Sequence, residues 1–266
     1  MPGPLEGRTA LVTGSTRGIG KAIALQFARD GGDVVICGRS EVRGTDNLPG
    51  TILETVSEIE KTGRRALGVR VDLGEERDLV NLVNRSIESF GKIDVLVNNA
   101  VIVDRRRRLF GGDADWLDTS YRVNIRAPFR LMQMVGANMA ERGGGTIINI
   151  SSRGAMNPPP PSGPSAQVDS MDPAYPVSKA AMDRMTTAYA AELWASNICI
   201  LALRPGLVIT ERIEQAAVRP NVDKSRAEPV DYIARAASLL AQSGMTYAGQ
   251  ILQAKQFLES KNALPV

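Results

Sequence analysis

The stretch TALVTGSTRGIG, residues Thr9–Gly20, decides the fold class that this sequence predicts. It begins as a short apolar, β-branched run and continues as T-G-x-x-x-G-x-G into an amphipathic helical pattern. Glycines between a strand and a helix permit a tight turn and let the backbone approach a pyrophosphate, whose charge the helix N-terminus then meets. Because these glycines follow a predicted strand and open a predicted helix, the stretch indicates a dinucleotide-binding β-α unit.

Outward from this stretch, short β-branched runs alternate with longer amphipathic segments. The runs that predict strands are Thr9–Thr13, Asp33–Cys37, Ala66–Val71, Ile93–Val97, Thr146–Ile150 and Ile198–Leu203. The helical patterns between them are Gly20–Asp30, Leu48–Thr62, Glu75–Phe90, Trp116–Glu141 and Tyr175–Ser196. Strands that are apolar on both faces and separated by helices indicate a parallel sheet covered on both sides. We therefore expect one α/β domain over residues 1–266, a Rossmann fold with a doubly wound parallel sheet.

Composition narrows the classes of function. The 266 residues are 43% hydrophobic and 23% charged, which suits one domain with a large core. A net charge of +3 is too mild to indicate a nucleic-acid partner. Histidine is absent, which excludes histidine triads and imidazole zinc ligands, and we expect no metal site. Cys37 and Cys199 lie in apolar runs and predict buried thiols; with no leader or membrane span apparent, we expect a cytoplasmic protein.

The residues after the second predicted strand bear on cofactor choice. An NAD site commonly places an acidic residue here to hold the ribose hydroxyls, but the sequence is Cys-Gly-Arg-Ser, ending in Arg39 and Ser40. Arg39 suits the 2′-phosphate of NADP, with help from Arg17 in the glycine loop and from the Ser40 hydroxyl. The alternative is that both arginines are solvent-facing loop charges. We favour NADP(H) over NAD(H).

Tyr175 and Lys179 are four positions apart and share one face of a predicted helix. An isolated phenol has a pKa near ~10 and transfers protons poorly at neutral pH. A lysine ammonium one turn away favours the phenolate, so the pair becomes an acid/base that needs no histidine. Such a pair occurs by chance in many helices, and it gains force from following a strand that ends in Ser151-Ser152.

With these residues in place, the chain resembles the compact branch of the short-chain dehydrogenase/reductase superfamily over nearly its whole length. The motifs that carry the resemblance are Thr13–Gly20, Asp72, Asn98-Asn99-Ala100, Asn124, Ser151-Ser152, Tyr175 with Lys179, and Pro205-Gly206 with Thr210. Their joint order and spacing are specific to the family. The loop after the second predicted strand is loosely similar to the hydroxysteroid-dehydrogenase-like branch.

The resemblance implies a catalytic role for four residues. Tyr175 is the general acid in reduction and the base in oxidation, and Lys179 tunes it and binds the nicotinamide ribose. Ser152 hydrogen-bonds the substrate carbonyl and stabilises its developing negative charge. Ser151 is the rival for that role, but the family's serine is usually the second of such a pair. Asn124 holds a water that relays protons to Lys179.

Further residues are expected to bind the cofactor. They are Gly14, Ser15, Thr16, Arg17, Gly18, Ile19, Gly20, Arg39, Ser40, Asp72, Leu73, Asn98, Ala100, Tyr175, Lys179, Pro205, Gly206, Val208 and Thr210. Asp72 is placed to accept a hydrogen bond from the adenine amino group, and is equally consistent with a turn residue. Asn98 either borders the ribose or only satisfies backbone groups at a strand end.

The sequence departs from the family pattern in three places. Val101 stands where the family usually has glycine, which adds a side chain near the cofactor. Ser152 and Tyr175 are 23 positions apart, more than the family's usual separation. The added residues fall in a Pro-rich insertion at about 153–173, either a flap over the substrate pocket or a tolerated surface loop. A short lid is expected at about 207–228. The chain's end, GQILQAKQFLES, lacks the glycine pair that is common after the family's last strand, so its docking is left open.

Three functions remain open. The leading hypothesis is an NADP(H)-dependent carbonyl reductase or alcohol dehydrogenase (EC 1.1.1.-) acting on a small molecule. The second is an acyl-CoA or 3-oxoacyl substrate, favoured if the run Arg105–Arg108 recognises an anionic tail rather than forming a solvated loop. The third is a non-catalytic NADP-binding sensor. The resemblance also implies a homo-oligomer, a dimer or tetramer that packs through Trp116–Glu141 and Tyr175–Ser196, with no nucleic-acid or membrane partner.

Overall fold

The computed structural model describes residues 3–42, 49–103, 114–157, 174–215 and 223–265. Several predicted features therefore lie wholly or partly outside the described residues. They are the run Arg105–Arg108, the insertion from residue 158 onward, residues 216–222 of the lid, and the first residue of the helical pattern at 48–62. The described parts of the segment predicted as a lid meet where Leu207 pairs with Ala227.

Within the described ranges, seven parallel strands form one sheet. The strands are β1 (Thr9–Val12), β2 (Asp33–Gly38), β3 (Ala66–Arg70), β4 (Val95–Asn98), β5 (Gly145–Ile150), β6 (Ile198–Arg204) and β7 (Ile251–Gln253). Their order is β3-β2-β1-β4-β5-β6-β7. The order reverses between β1 and β4, so a crevice opens there at the carboxyl ends of the strands, where such sheets bind ligands.

Helices cover both faces of the sheet. They are α1 (Gly18–Arg29), α2 (Ile52–Glu60), α3 (Glu76–Phe90), α4 (Ala114–Tyr121), α5 (Ala127–Glu141), α6 (Ala174–Trp194), α7 (Glu211–Gln215), α8 (Val230–Ala241) and α9 (Ala254–Ser260). Side chains alternate between the faces of a strand. In β1, Ala10 and Val12 therefore join the apolar cluster under α1 and α8, whereas Leu11 joins the cluster under α3 and α5. The predicted single-domain, doubly wound α/β fold is confirmed.

The six predicted strands are all present, and one strand was missed. β7 has three half-buried residues, too few to show a pattern, and it forms only by pairing with β6 through Ala202 and Ile251. This pairing fixes the chain's end at the sheet edge. Cys37 and Cys199 are buried in β2 and β6, and burial raises their thiol pKa values to about 12 and about 11. None of the helices in the described ranges is long and apolar enough to cross a lipid bilayer.

The segment predicted to be helical over Trp116–Glu141 is helical throughout, but it is not one regular α-helix. It consists of α4, a π-helical turn at Arg122–Arg126, and α5. Pro128 lies in the first turn of α5 and has no N–H, so it cannot donate the usual bond to the carbonyl of Asn124 four residues earlier. The N–H of Ala127 instead bonds to the carbonyl of Arg122, five residues back. Such single π turns occur frequently at functional sites.

The core predicts the effect of one substitution. Phe27 in α1 is fully buried between the sheet and α8. We expect Phe27→Ala to lower the free energy of unfolding by about 3–5 kcal/mol, because it leaves a cavity as well as losing apolar burial. The matched change Leu53→Ala, at a side chain 53% exposed on α2, is expected to cost at most ~0.5 kcal/mol. Urea unfolding followed by circular dichroism measures both, and equal losses would contradict this packing.

Candidate active site

The glycine loop between β1 and α1 has a backbone that only glycine accommodates easily. Gly14 and Gly18 have φ of +63° and +54°, in the left-handed region. At Gly20 a Cβ atom would lie 2.4 Å from the side-chain nitrogen of Asn99 and 2.4 Å from the carbonyl of Gly14. The loop thus packs closely against the end of β4, as a phosphate-binding turn requires.

Asn99 is the residue that fixes this loop, and the sequence analysis gave it no role of its own. Its Nδ2 donates to the carbonyls of Thr13 at 2.9 Å and Gly14 at 3.2 Å. In return, Thr13 Oγ1 accepts from the backbone N–H groups of Asn99 at 2.9 Å and Ala100 at 3.1 Å. The available signal was its position directly after an apolar strand, within an Asn-Asn-Ala run.

The glycine loop also contacts the end of β2. Ser15 Oγ donates to the carbonyl of Val12 at 2.7 Å and accepts from the N–H of Cys37 at 3.0 Å, so this side chain joins two strands. A Cβ at Gly38 would lie 2.8 Å from the methyl group of Thr16. The residues that follow Gly38 and Thr16 are the exposed Arg39 and the half-buried Arg17. The structure therefore brings the two predicted arginines to neighbouring loops.

The three residues predicted to contact the 2′-phosphate differ in how firmly the surrounding backbone holds them. Ser40 is buried, and its carbonyl accepts from the N–H of Ile52 at 3.0 Å, which ties the loop to the start of α2. Arg17 Nη2 donates to the carbonyl of Gly50 at 3.1 Å. The guanidinium of Arg17 is thus anchored beside the loop after β2, whereas Arg39 extends into solvent.

An acidic side chain lies at the N-terminus of α1. Glu211 Oε2 accepts from the backbone N–H of Gly18 at 3.1 Å. A Cβ at Gly18 would lie 3.1 Å from the methyl carbon of Thr210, so the segment after β6 packs against this loop. A carboxylate bonded to the first N–H of a helix indicates a site that suits an anion, and the donor set fits a dinucleotide pyrophosphate. Sequence reasoning assigned nothing to Glu211.

Helix α6 presents the predicted acid/base pair. Tyr175 lies in its first turn, half-buried, and Lys179 follows one turn later, fully buried. Lys179 Nζ donates to the carbonyl of Ile150 at 2.5 Å and lies 6.0 Å from the centroid of the Tyr175 ring. Burial lowers the pKa of Lys179 to about 8, and the charge of Asp183 acts in the opposite direction. The ammonium and the phenol therefore share one small region at the end of β5.

The two serines at the end of β5 differ in access. Ser151 is buried, and its hydroxyl oxygen has no hydrogen-bond partner among the residues described. Ser152 is half-buried, and its Oγ accepts from the N–H of Gly154 at 3.0 Å, capping the short 3₁₀ turn Arg153–Ala155. Partial exposure favours Ser152 as the hydroxyl that a substrate can reach.

Asn124 lies in the π-helical turn with its side chain fixed on several sides. Its Oδ1 accepts from the N–H of Ile102 at 2.9 Å, and its Nδ2 donates to the carbonyl of the same residue at 3.0 Å. Nδ2 also contacts Ser120 Oγ at 3.1 Å and Ser178 Oγ at 3.4 Å, and Ser178 directly precedes Lys179. The side chain thus links the segment after β4 to helix α6.

Two predicted cofactor residues already have structural partners. Asn98 Nδ2 donates to Asn149 Oδ1 at 2.9 Å within the sheet, and Asp72 Oδ1 accepts from the N–H of Gly74 at 2.9 Å in a turn. The Asp72 contact matches its alternative role as a turn residue. Asn98 instead bonds to a side chain rather than to backbone groups, and its Oδ1 has no hydrogen-bond partner among the described residues. The other predicted positions, including Leu73, Ala100, Pro205, Gly206 and Val208, follow strands β3, β4 and β6 at the same edge of the sheet.

Comparison with known proteins agrees with this geometry. The family described as short chain dehydrogenase matches residues 8–219. The chain is 35% identical over 208 residues to the (2S)-[(R)-hydroxy(phenyl)methyl]succinyl-CoA dehydrogenase subunit of Thauera aromatica, covering 77% of this chain and 75% of that protein. It is 29% identical over 263 residues to the 7α-hydroxysteroid dehydrogenase of Escherichia coli, covering 93% and 92%.

A solved structure supports the same relationship. A 7α-hydroxysteroid dehydrogenase complexed with NADH and 7-oxo glycochenodeoxycholic acid superimposes with a TM-score of 0.79 at 29% identity, covering 94% of this chain and 93% of that one. The resemblance to the compact branch and to its hydroxysteroid-dehydrogenase-like members is thereby confirmed. The matched motifs, the sheet order and these relatives together establish that the chain belongs to the short-chain dehydrogenase/reductase family and is an oxidoreductase.

Proposed function

We propose that this chain interconverts a carbonyl group and a secondary alcohol on a small molecule, with NADP(H) as cofactor and Tyr175 as the general acid/base. The observation that carries the proposal is the buried ammonium of Lys179, 6.0 Å from the Tyr175 ring centroid and bonded to the carbonyl of Ile150. In a chain without histidine, this pair is the acid/base best supported by its surroundings.

Each residue has one task in the proposed reaction. The bound nicotinamide supplies or accepts the hydride. Tyr175 donates a proton to the carbonyl oxygen in reduction and accepts it from the alcohol in oxidation. Lys179 is mostly protonated at neutral pH, since its pKa is about 8, and its charge favours the phenolate. Ser152 donates a hydrogen bond to the oxygen on which charge develops.

The remaining roles are proposed on the family resemblance. Asn124 holds a water that connects Lys179 to solvent. Two observations support this role: Asn124 contacts Ser178, and Pro128 has no N–H to donate to the Asn124 carbonyl. The glycine loop and the residues after β3, β4 and β6 hold the cofactor. The Gly18 N–H supports this role, because it donates to the Glu211 carboxylate and could donate to a pyrophosphate in the same way. Arg39 and Arg17 favour NADP(H), because their loops are neighbours and guanidinium groups bind phosphate in a bidentate manner.

A homo-oligomer is part of the proposal. Leu117 and Tyr121 on α4, and Val177 and Trp194 on α6, are each more than half exposed. Large apolar side chains on these helices favour burial against a second copy. The family expectation of a dimer or tetramer through the same helices points to this surface. The cytoplasm stays the proposed compartment because the thiols are separate and buried.

A second candidate substrate class is a CoA thioester. The relative from Thauera aromatica is named as a succinyl-CoA dehydrogenase subunit. A run of four arginines, Arg105–Arg108, follows β4 in the sequence and suits an anionic tail. It lies outside the described residues, so the run supports this candidate by its charge alone.

The role of Tyr175 is tested by Tyr175→Phe. We expect turnover to fall by roughly 10²–10⁴-fold, the typical value of a general acid/base, whereas the Kd for NADPH stays within a few-fold. Tyr189→Phe on the same helix is the matched control and keeps full activity. Steady-state rates followed at the nicotinamide absorbance, with NADPH binding followed by fluorescence, measure both. A Tyr175→Phe enzyme that retains most of its activity would overturn the mechanism.

Cofactor choice is tested by Arg39→Ala. Removing a charge-assisted phosphate contact of about 1.5–3 kcal/mol should weaken NADPH binding by roughly 10- to 100-fold. NADH affinity should be almost unchanged, because NADH lacks the 2′-phosphate. Arg77→Ala, at a side chain 92% exposed on α3, controls for loss of a surface charge. Equal losses for NADPH and NADH would remove the phosphate argument.

A substrate panel separates the candidate functions. Free ketones, hydroxysteroids and 3-hydroxyacyl- or 3-oxoacyl-CoA compounds are assayed with each cofactor, for the native enzyme and for Arg106→Ala/Arg107→Ala. We expect turnover of free carbonyl compounds or alcohols that is the same in both proteins. Preference for thioesters that is selectively lost in the variant would establish the second candidate. NADPH binding with no turnover of any compound would instead indicate a sensor.

A further inference from the structure

A buried ion pair lies one helical turn beyond the catalytic lysine. Asp183 Oδ2 and Arg204 Nη2 are 2.5 Å apart, and their side chains are only 10% and 15% exposed. Asp183 belongs to α6, and Arg204 ends β6 directly before Pro205. Removing two charges from water is costly, and an apolar pair of the same shape often stabilises a protein equally well. The pair therefore requires an explanation other than stability.

The ion pair is one of several polar contacts between α6 and the sheet; another is the bond from Asn149 Nδ2 to Thr186 Oγ1 at 3.0 Å, and two lie close to the turn that carries Lys179. Lys179 bonds to the carbonyl of Ile150 at the end of β5, and Asp183 bonds to Arg204 at the end of β6. Ile150 is paired in register with Leu203, so the two attachments lie side by side on adjacent strands. These two contacts restrict rotation of α6 about its axis and sliding of α6 along it, at the turn that carries Lys179.

The hydrogen bonding of the pair is incomplete. Asp183 Oδ1 and Arg204 Nε are buried and have no hydrogen-bond partner among the described residues. The contact is thus single rather than the two parallel bonds of a bidentate pair. In a low-dielectric interior the carboxylate is weakly screened, so it acts on buried charged neighbours.

The charge that acts on Lys179 comes from Asp183. Of the carboxylates described, Asp183 is the one that raises the pKa of the lysine against the effect of burial. The elements packed against α6 also carry Asp115 and Asp118 on α4, Arg122 and Arg126 in the π turn, and Arg153 after β5. Arg126 is paired with Glu76 at 2.7 Å, and the other four are exposed, so water screens their charges.

We infer that the Asp183–Arg204 pair is a positioning device for Lys179: Arg204 holds the carboxylate in place, and the carboxylate keeps the buried ammonium protonated and aligned. This inference rests on the proposed function, in which Lys179 must be a cation to favour the phenolate of Tyr175. Asp183 and Arg204 act through Lys179 and contact neither substrate nor cofactor. Loss of the carboxylate leaves Lys179 buried with a neutral carbonyl as its partner, and the ammonium then loses its proton at lower pH.

Three variants separate this role from a structural one. Asp183→Asn preserves shape but removes the charge. Asp183→Asn with Arg204→Met removes both charges of the pair and leaves no buried guanidinium without its carboxylate, so it is expected to fold even where the single variant does not. Asp183→Glu retains the charge and should rescue. Glu192→Gln, at an exposed acid of the same helix, is the matched control.

The first measurement needs no turnover. Lysines labelled at Cε are titrated by NMR in the cofactor-free protein, and Lys179 is assigned by its loss in Lys179→Met. The native midpoint is expected near pH 8, and Asp183→Asn should lower it by about one unit, as for a lost opposite charge. The double variant should lower it less, because it also removes the like charge of Arg204. Asp183→Glu and Glu192→Gln should titrate as the native protein does. An unchanged Lys179 midpoint in Asp183→Asn, or in the double variant where the single variant does not fold, overturns the inference, whether or not any substrate is found.

The second measurement uses the best substrate of the panel. The pH dependence of kcat/KM for alcohol oxidation should shift upward by about one unit in Asp183→Asn and by less in the double variant, with KM for the cofactor nearly unchanged. A loss of activity at every pH with an unmoved midpoint shows a purely structural pair and refutes the inference. Failure of the native enzyme to turn over any substrate, with the NMR shift present, would count against the proposed function alone.

Discussion

Parallel pairing of β1 with both β2 and β4 is the constraint on which the rest of the molecule depends. Val12 is in register with Ile36 on one side and Val97 on the other, so three strands end together at one edge. Parallel strands place their carboxyl ends on the same side, and loops that are distant in sequence then converge. The glycine loop gains its shape from this convergence, since Asn99 at the end of β4 holds it.

Much of this arrangement could be predicted from local patterns. Apolar runs and helical periodicity predicted six strands and the doubly wound sheet, because burial on both faces leaves a clear signature. β7 escaped prediction because its three residues form a strand only through their partner. The π turn was not predicted either. It lies next to Pro128, whose missing N–H disturbs a helix that otherwise looks regular. A pattern of side-chain types does not reveal which turn of a helix loses its bonds.

The residues of the candidate site also fall into those that the sequence could predict and those that it could not. Tyr175 and Lys179 are close in sequence, so their shared face could be read directly. Asp183 and Glu211 were missed because their partners lie 21 and 193 positions away in the chain. Asp72 and Asn98 had two readings each, and the sequence could not rank them because both roles use the same side-chain atoms. Long-range partners appear only when the topology brings strand ends together.

The buried thiols have a practical consequence for following this fold in solution. Cys37 lies in β2 and Cys199 in β6, on opposite sides of the central strand, and both are enclosed with their thiol pKa values raised. A thiol reagent reacts with the thiolate, so it reaches either residue only when the surrounding strands open. The two labelling rates thus report the local opening of each half of the sheet separately. The chain contains its own pair of probes for comparing local with global unfolding.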